Sequence, residues 1–139
     1  MSELLRELDR VDLAHQVAIT GTPADYGDFV REHRRTKFIG VVPSEVLDDY
    51  WRRADVIFFP PTLEAFGYPL AEARVHGKLI LAPDSEQARE IADQALLPYN
   101  LGQSHSIGDS LVGRPPSIYP DPAPFERASY FEWLLRSEF

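Results

Sequence analysis

Leu4, Leu5, Leu8, Val11 and Leu13 recur at near-helical spacing among charged residues, which predicts an amphipathic helix lying on a sheet. Gln16-Val17-Ala18-Ile19-Thr20 then reads as a strand, stopped by Gly21-Thr22-Pro23. A second helix is expected from Ala24 to Arg35, with Arg31, His33, Arg34 and Arg35 crowding the end where cations complement the helix dipole. Lys37 to Val42 is the next strand. Pro43 and Ser44 open a third helix to about Arg53, with Val46, Leu47, Tyr50 and Trp51 on one face. Val56-Ile57-Phe58-Phe59 is apolar on both faces, as a central parallel strand covered by helices should be. Pro69 and Gly77 bracket a further helix, Leu79 to Ala82 is another buried strand, and Asp84 with Gln87 suggests a capping box opening a helix over Ser85 to Ala92.

Strands alternating with helices of about ten residues imply right-handed βαβ units. The fold class is therefore α/β: a Rossmann-like, doubly wound, mostly parallel sheet with helices on both faces. Beyond Leu96-Leu97-Pro98-Tyr99 the character changes, since six of the twelve prolines fall between 98 and 124. The expected organisation is one domain over 1–139, comprising an α/β body (1–100), a Pro/Gly-rich surface crossing with a short helix at most (101–124) and an aromatic C-terminal helix (125–139) docked on the body.

Composition narrows the chemistry. The net charge of −8 is spread evenly: 8 cations meet 12 carboxylates in residues 1–70, and 6 meet 10 in residues 71–139. Neither half offers a basic footprint for nucleic acid, although a few backbone N–H groups can still hold a small anion. The chain has no cysteine, and His15, His33, His76 and His105 lack ligand spacing, so no metal is expected. No run approaches the roughly 18 apolar residues of a membrane helix, and Met1-Ser2-Glu3-Leu4-Leu5-Arg6-Glu7 lacks the regions of a signal peptide. The expectation is a cytoplasmic chain without a transmembrane segment, reaching the inner membrane face only through a partner.

The informative stretch runs from Phe58 to Arg74. There a buried strand gives way to a loop and then to a helix N-terminus, the place where doubly wound sheets bind ligands. Backbone N–H groups of Phe66, Gly67 and Tyr68 would lack intrahelical partners and suit phosphate oxygens, and Gly67 would let a ligand approach closely. Glu64 and Glu72 bracket that nest. Beside a phosphate such carboxylates are repelled unless they have another task, and accepting hydrogen bonds from the vicinal hydroxyls of a ribose or hexose is one. A plainer role is also open, with Glu72 complementing the helix dipole and Glu64 solvated in its loop. Arg31, Arg34, Arg35, Lys37, Arg74 and Lys78 are candidate phosphate cations or solvated charges. The Ser104-His105-Ser106 and Asp109 group lacks the glycine-flanked elbow of a hydrolase.

This segment resembles the C-terminal, donor-binding domain of retaining GT-B glycosyltransferases, glycosyltransferase family 4 in particular. The family carries two glutamates separated by seven residues around a Glu-Gly-Phe-Gly-Leu-Pro core. Here Glu64-Ala65-Phe66-Gly67-Tyr68-Pro69 continues to Glu72-Ala73, with Tyr50-Trp51, Ala54-Asp55, Phe59-Pro60, Gly77 and Leu81-Ala82 at matching places; coverage is roughly residues 14 to 100. The resemblance implies transfer of a sugar, with retention, from a nucleotide-diphosphate sugar to a carbohydrate or lipid-linked acceptor. It makes Glu64 the carboxylate of the catalytic centre, binding donor-sugar hydroxyls. Phe66, Gly67 and Tyr68 would meet sugar and diphosphate through the main chain, and Gly21 would lie near the phosphates. Val41 and Val42 would contact the base, and Glu72 would hold the ribose diol. Neither metal nor cofactor is implied beyond the donor itself.

Two departures qualify that picture. The family opens this domain with a strand followed by an Arg and a Lys that neutralise the diphosphate, whereas here the pattern starts in the following helix. In the strand order 3-2-1-4-5-6 the missing strand is central, so a partner chain, a rearranged order or self-association is expected to fill the gap. The facing N-terminal domain is also absent, so the chain is expected to need a companion domain and to be inactive alone, or else to serve as a non-catalytic nucleotide-sugar-binding or interaction subunit.

Overall fold

The stripe at residues 4–8 folds as its spacing predicts, and α1 (Ser2–Arg10) buries Leu4, Leu5 and Leu8. The computed structural model describes residues 1–60 and 67–125. After α1 come β1 (Val17–Ile19), a 3₁₀ turn (Pro23–Asp25), α2 (Asp28–Glu32), β2 (Thr36–Phe38), α3 (Ser44–Arg53) and β3 (Val56–Phe58). Then follow α4 (Tyr68–His76), β4 (Leu79–Pro83), α5 (Glu86–Ala92), β5 (Leu96–Tyr99) and α6 (Ser106–Val112), with further 3₁₀ turns at Asp93–Ala95 and Ala123–Phe125. The fold is mixed α/β with parallel strands and helices on both faces, a generic Rossmann-like topology.

The strands form two sheets rather than one. β1 pairs with β2, and β3-β4-β5 form the other, with Val56, Ile57 and Phe58 opposite Leu79, Ile80 and Leu81. β4, flanked on both sides, is buried from Leu79 through Ala82. β3 is equally apolar yet only half-buried, because it is an outer strand and not the central one its composition suggests. Pro98 argues against a strand interior, and β5 tolerates it at the outer edge. Tyr99 accepts from the Asp84 N–H at 2.8 Å, so alternation turns the Pro98 nitrogen away from β4.

Helix α1 joins the sheets. Leu4 and Leu8 enter a core with Leu79, Leu81, Leu97, Tyr99, Ile107 and Leu111, while Leu5 packs with Ile19 and Val30. Each fully buried leucine or isoleucine here, such as Leu5 or Ile80, contributes about 2 kcal/mol of transfer free energy. A third cluster sets Leu70 and Ala73 of α4 and Ile91 of α5 against Ile80 and Ala82.

Within each sheet the strands run parallel. Glu3, in the first turn of α1, acts electrostatically on Tyr99 at the carboxyl end of β5. Near the other end of α1, Asp9 binds Arg35, which precedes β2, at 2.8 Å.

Several boundaries differ from the sequence pattern. Residues 24–35 form a 3₁₀ turn and a short helix rather than one helix, and Val30 is the only buried residue among those two elements. β2 ends at Phe38, before Gly40 takes a left-handed φ of +68°. The cap of α5 is Ser85, whose Oγ accepts the Ala88 N–H at 3.0 Å, in place of an Asp84–Gln87 box; Asp84 instead pairs with Arg89 at 2.6 Å. The Pro-rich crossing holds the short helix α6. It is pinned under α4 by the Asp121 N–H to the Arg74 carbonyl and by the Arg74–Asp121 ion pair, both at 2.9 Å. The expected C-terminal helix lies outside the described residues beyond Phe125.

Candidate functional site

β2 lies beside β1 in one sheet, and β4 and then β5 follow β3 in the other. In open α/β folds ligands are usually bound by loops that follow the carboxyl ends of parallel strands. The loops after β1, β2 and β3 carry Gly21, Val41 with Val42, and Gly67 with Tyr68, so these sequence-predicted residues all follow strand carboxyl ends. Glu64 and Phe66 lie outside the described residues.

Gly67 holds a left-handed conformation (φ +75°) at the N-cap of α4. It is buried, and a Cβ there would lie 2.8 Å from Leu70 Cδ1. The glycine is thus required by backbone angle and by packing from its own helix, a different reason from close approach of a ligand. Tyr68 begins the helix and is largely exposed. Glu72, one turn on, is exposed and makes no ion pair or hydrogen bond among the described residues.

Val41 is 96 % exposed, and Gly40 before it has open space where a side chain would stand. The main chain at this position is accessible to a flat ring; Val42 is half-buried. Gly21 is half-buried, and a Cβ there would meet Tyr26 Cε2 at 3.1 Å, so this glycine makes room for the ring that packs on Phe38. In the same loop the Asp25 carboxylate accepts from the Thr22 N–H and hydroxyl at 3.1 and 2.9 Å. Those bonds hold its pKa below the ordinary value.

The candidate phosphate cations are engaged elsewhere. Arg35 is buried before the amino end of β2, where it donates to Asp9 and to the carbonyls of Leu13 and His15. Arg34 also binds Asp9, at 3.0 Å, and Arg31 binds Asp28. Lys37 lies over the Tyr50 ring at 6.0 Å. Arg74 is shared among Asp121, Asp93 and two carbonyls of α5, and Lys78 donates to the carbonyls of Arg52 and Ala54.

Two carboxylate hubs on α1 escape a sequence reading because most of their partners are remote in the chain. Asp9 gathers Arg35, His33 and Arg34, and its pKa falls to about 2 chiefly through the Arg35 hydrogen bond. Glu7, nearly buried, is held at about 2 by Arg10, with help from His105 at 3.2 Å and the Gly108 N–H at 3.0 Å. Gly108 is needed there: a Cβ would meet Glu7 Oε2 at 2.5 Å. The His105 and Asp109 group is therefore a clasp between α6 and α1.

A cleft of about 480 Å³ lies at the amino ends of β3 and β4, lined in part by Asp55, Lys78, Arg114 and Ile118. The loop that carries Gly67 follows the other end of β3. Among the described residues no group of His, Asp or Glu is placed to hold a metal ion, and no helix is long and apolar enough to cross a membrane. No family model, curated protein or solved structure matches this chain.

Proposed function

We propose that this chain is the donor-binding half of a retaining glycosyltransferase, a GT-B C-terminal domain. It takes a nucleotide-diphosphate sugar at the loops after β1, β2 and β3 and transfers the sugar to a carbohydrate or lipid-linked acceptor together with a companion N-terminal domain. The observation that supports this reading is that Gly21, Val41 and Gly67–Glu72 each come after a strand of a parallel pair in the chain. Val41 offers accessible main chain for a base, and Glu72 is an unengaged acceptor for a ribose diol. Glu64 is assigned to the donor sugar on the motif alone.

A second reading is favoured by one observation. Arg34 and Arg35 are tied to Asp9 at the amino end of β2, leaving them unable to neutralise a leaving diphosphate at the other end. On that reading the chain is a binding or interaction subunit without turnover.

Calorimetry with UDP, GDP and their sugars tests donor binding. Glu72→Ala is expected to weaken nucleotide binding about tenfold, the worth of a hydrogen bond to a charged group, while leaving the melting temperature unchanged. No response to any of these nucleotides would remove donor binding and leave only an interaction role. Turnover on adding a companion domain separates the first from the second.

A further inference from the structure

Between α6 and the last 3₁₀ turn, residues 114–122 form neither helix nor strand, yet the body holds them at both ends. Arg114 donates from Nη1 to the Leu111 carbonyl at 2.8 Å. At the other end the Asp121 N–H and carboxylate both engage Arg74 at 2.9 Å, and Gln94 donates to the Tyr119 carbonyl at 3.2 Å. Gly77 lets this strap lie close on the end of α4, since a Cβ there would stand 2.7 Å from the Pro120 nitrogen. Ile118 turns inward and packs against two of the core clusters.

Local chemistry narrows the conformation as well. The rings of Pro115, Pro116, Pro120 and Pro122 fix φ near about −65°, and Arg114, Tyr119 and Asp121, each before a proline, are kept out of the helical region. The chain bends at Pro116, which leaves residues 117–122 as the extended run. No main-chain group from Pro115 to Ile118 has a hydrogen-bond partner among the described residues. A solvated, extended backbone of this kind is what polyproline-II ligands present.

The outward side of the strap carries a large aromatic ring. Tyr119 is 86 % exposed, and its side chain makes no hydrogen bond and no ring contact among the described residues. Pro120 and Pro122 beside it are exposed too. The body uses only the Tyr119 carbonyl, so the ring projects from a held main chain and can bind at little entropic cost. Toward α5 the border is acidic. Arg74, which binds Asp121, also lies 3.6 Å from the Asp93 carboxylate and 3.4 Å from the Glu90 carbonyl, and both acidic residues are exposed. Toward the cleft, Lys78 and Arg114 are engaged with helix-end carbonyls.

We propose that residues 117–122 are a docking site for a partner protein whose groove is lined with aromatic side chains and edged with basic ones. Tyr119 and Pro120 enter the groove in the manner of a polyproline-II ligand, and the basic edge meets Asp93 and Glu90. The bracing is part of the device. A segment already held extended loses little conformational entropy on binding, whereas the same sequence as a free peptide must first be ordered. This surface is independent of the donor loops.

The test titrates the full chain, by calorimetry, into purified WW, SH3 and EVH1 modules, with basic-edged and acidic-edged grooves in each class. Binding is expected to at least one basic-edged module and to no acidic-edged one. Tyr119→Ala is expected to weaken that binding by roughly tenfold or more, as loss of an aromatic anchor does, without moving the melting temperature. A synthetic peptide of residues 114–124 is expected to bind about tenfold more weakly than the chain. That comparison needs no variant, so it decides the matter if Tyr119→Ala fails to fold. Four results would overturn the proposal: no module binds, acidic-edged modules are preferred, Tyr119→Ala leaves affinity unchanged, or the free peptide binds as tightly as the chain.

Discussion

Ile80 and Ile57 are register partners with the same side chain, and they live in different environments. Ile80 is fully enclosed between α4, α5 and two neighbouring strands, whereas Ile57 is half-buried on a strand with one neighbour. The contrast extends outward from them. Around β4 the core is closed by α1, α4, α5 and α6; around β1 and α3 apolar residues remain partly in solvent. Strand composition alone does not determine burial, because burial depends on whether both neighbours are present.

That contrast can be broken experimentally. Ile80→Ala is expected to cost about 4 kcal/mol of unfolding free energy and Ile57→Ala about half as much, measured by urea denaturation. Gly108→Ala, which drives a methyl group into the Glu7–Arg10 clasp, is expected to cost about 2 kcal/mol on the closed side of the molecule.

Acid should sharpen the comparison further. Glu7 and Asp9 have folded pKa values of about 2, below their ordinary values of 4.5 and 3.8. A depressed carboxylate stabilises the fold fully above its ordinary pKa, and that stabilisation fades as pH falls from about 5 toward 2. Glu7→Gln should flatten the loss that comes from the α1–α6 clasp, and Asp9→Asn the loss that comes from the α1–β2 contact; denaturation at pH 7, 4 and 2.5 separates them. The smallest effect is expected for Val46→Ser on α3, below about 0.5 kcal/mol, because that side chain is already 40 % exposed.

Much of the body was legible in the chain. The period at residues 4–8, the bracketing of α4 by Pro69 and Gly77, and the run Leu79–Ala82 each became the expected element, because local spacing and turn residues act over a few positions. Residues 24–35 were less legible. Their cations suggested a dipole-capped helix, but Arg35 is drawn out of that pattern by Asp9 and two carbonyls from another part of the chain. β5 was obscured by Pro98, which only an edge position makes harmless.

The candidate site divides in the same way. The motif places Gly67 at a helix start, and the backbone agrees, yet Leu70 supplies a packing reason for that glycine which spacing does not reveal. Arg34 and Arg35 were plausible phosphate ligands by charge, and their location at the amino end of β2 gives them a different task.

Sequence by itself determined the alternation of strands and helices, the parallel α/β class and the glycines at α4's two ends, since these follow from side-chain periodicity and allowed backbone angles. Only the tertiary structure decided that the strands divide into two sheets, that β3 is an outer strand, and that Glu7 and Asp9 are the anchors of α1. Those outcomes depend on which remote groups meet across the fold, and hydrogen bonds between residues up to a hundred positions apart leave no periodic trace in the chain.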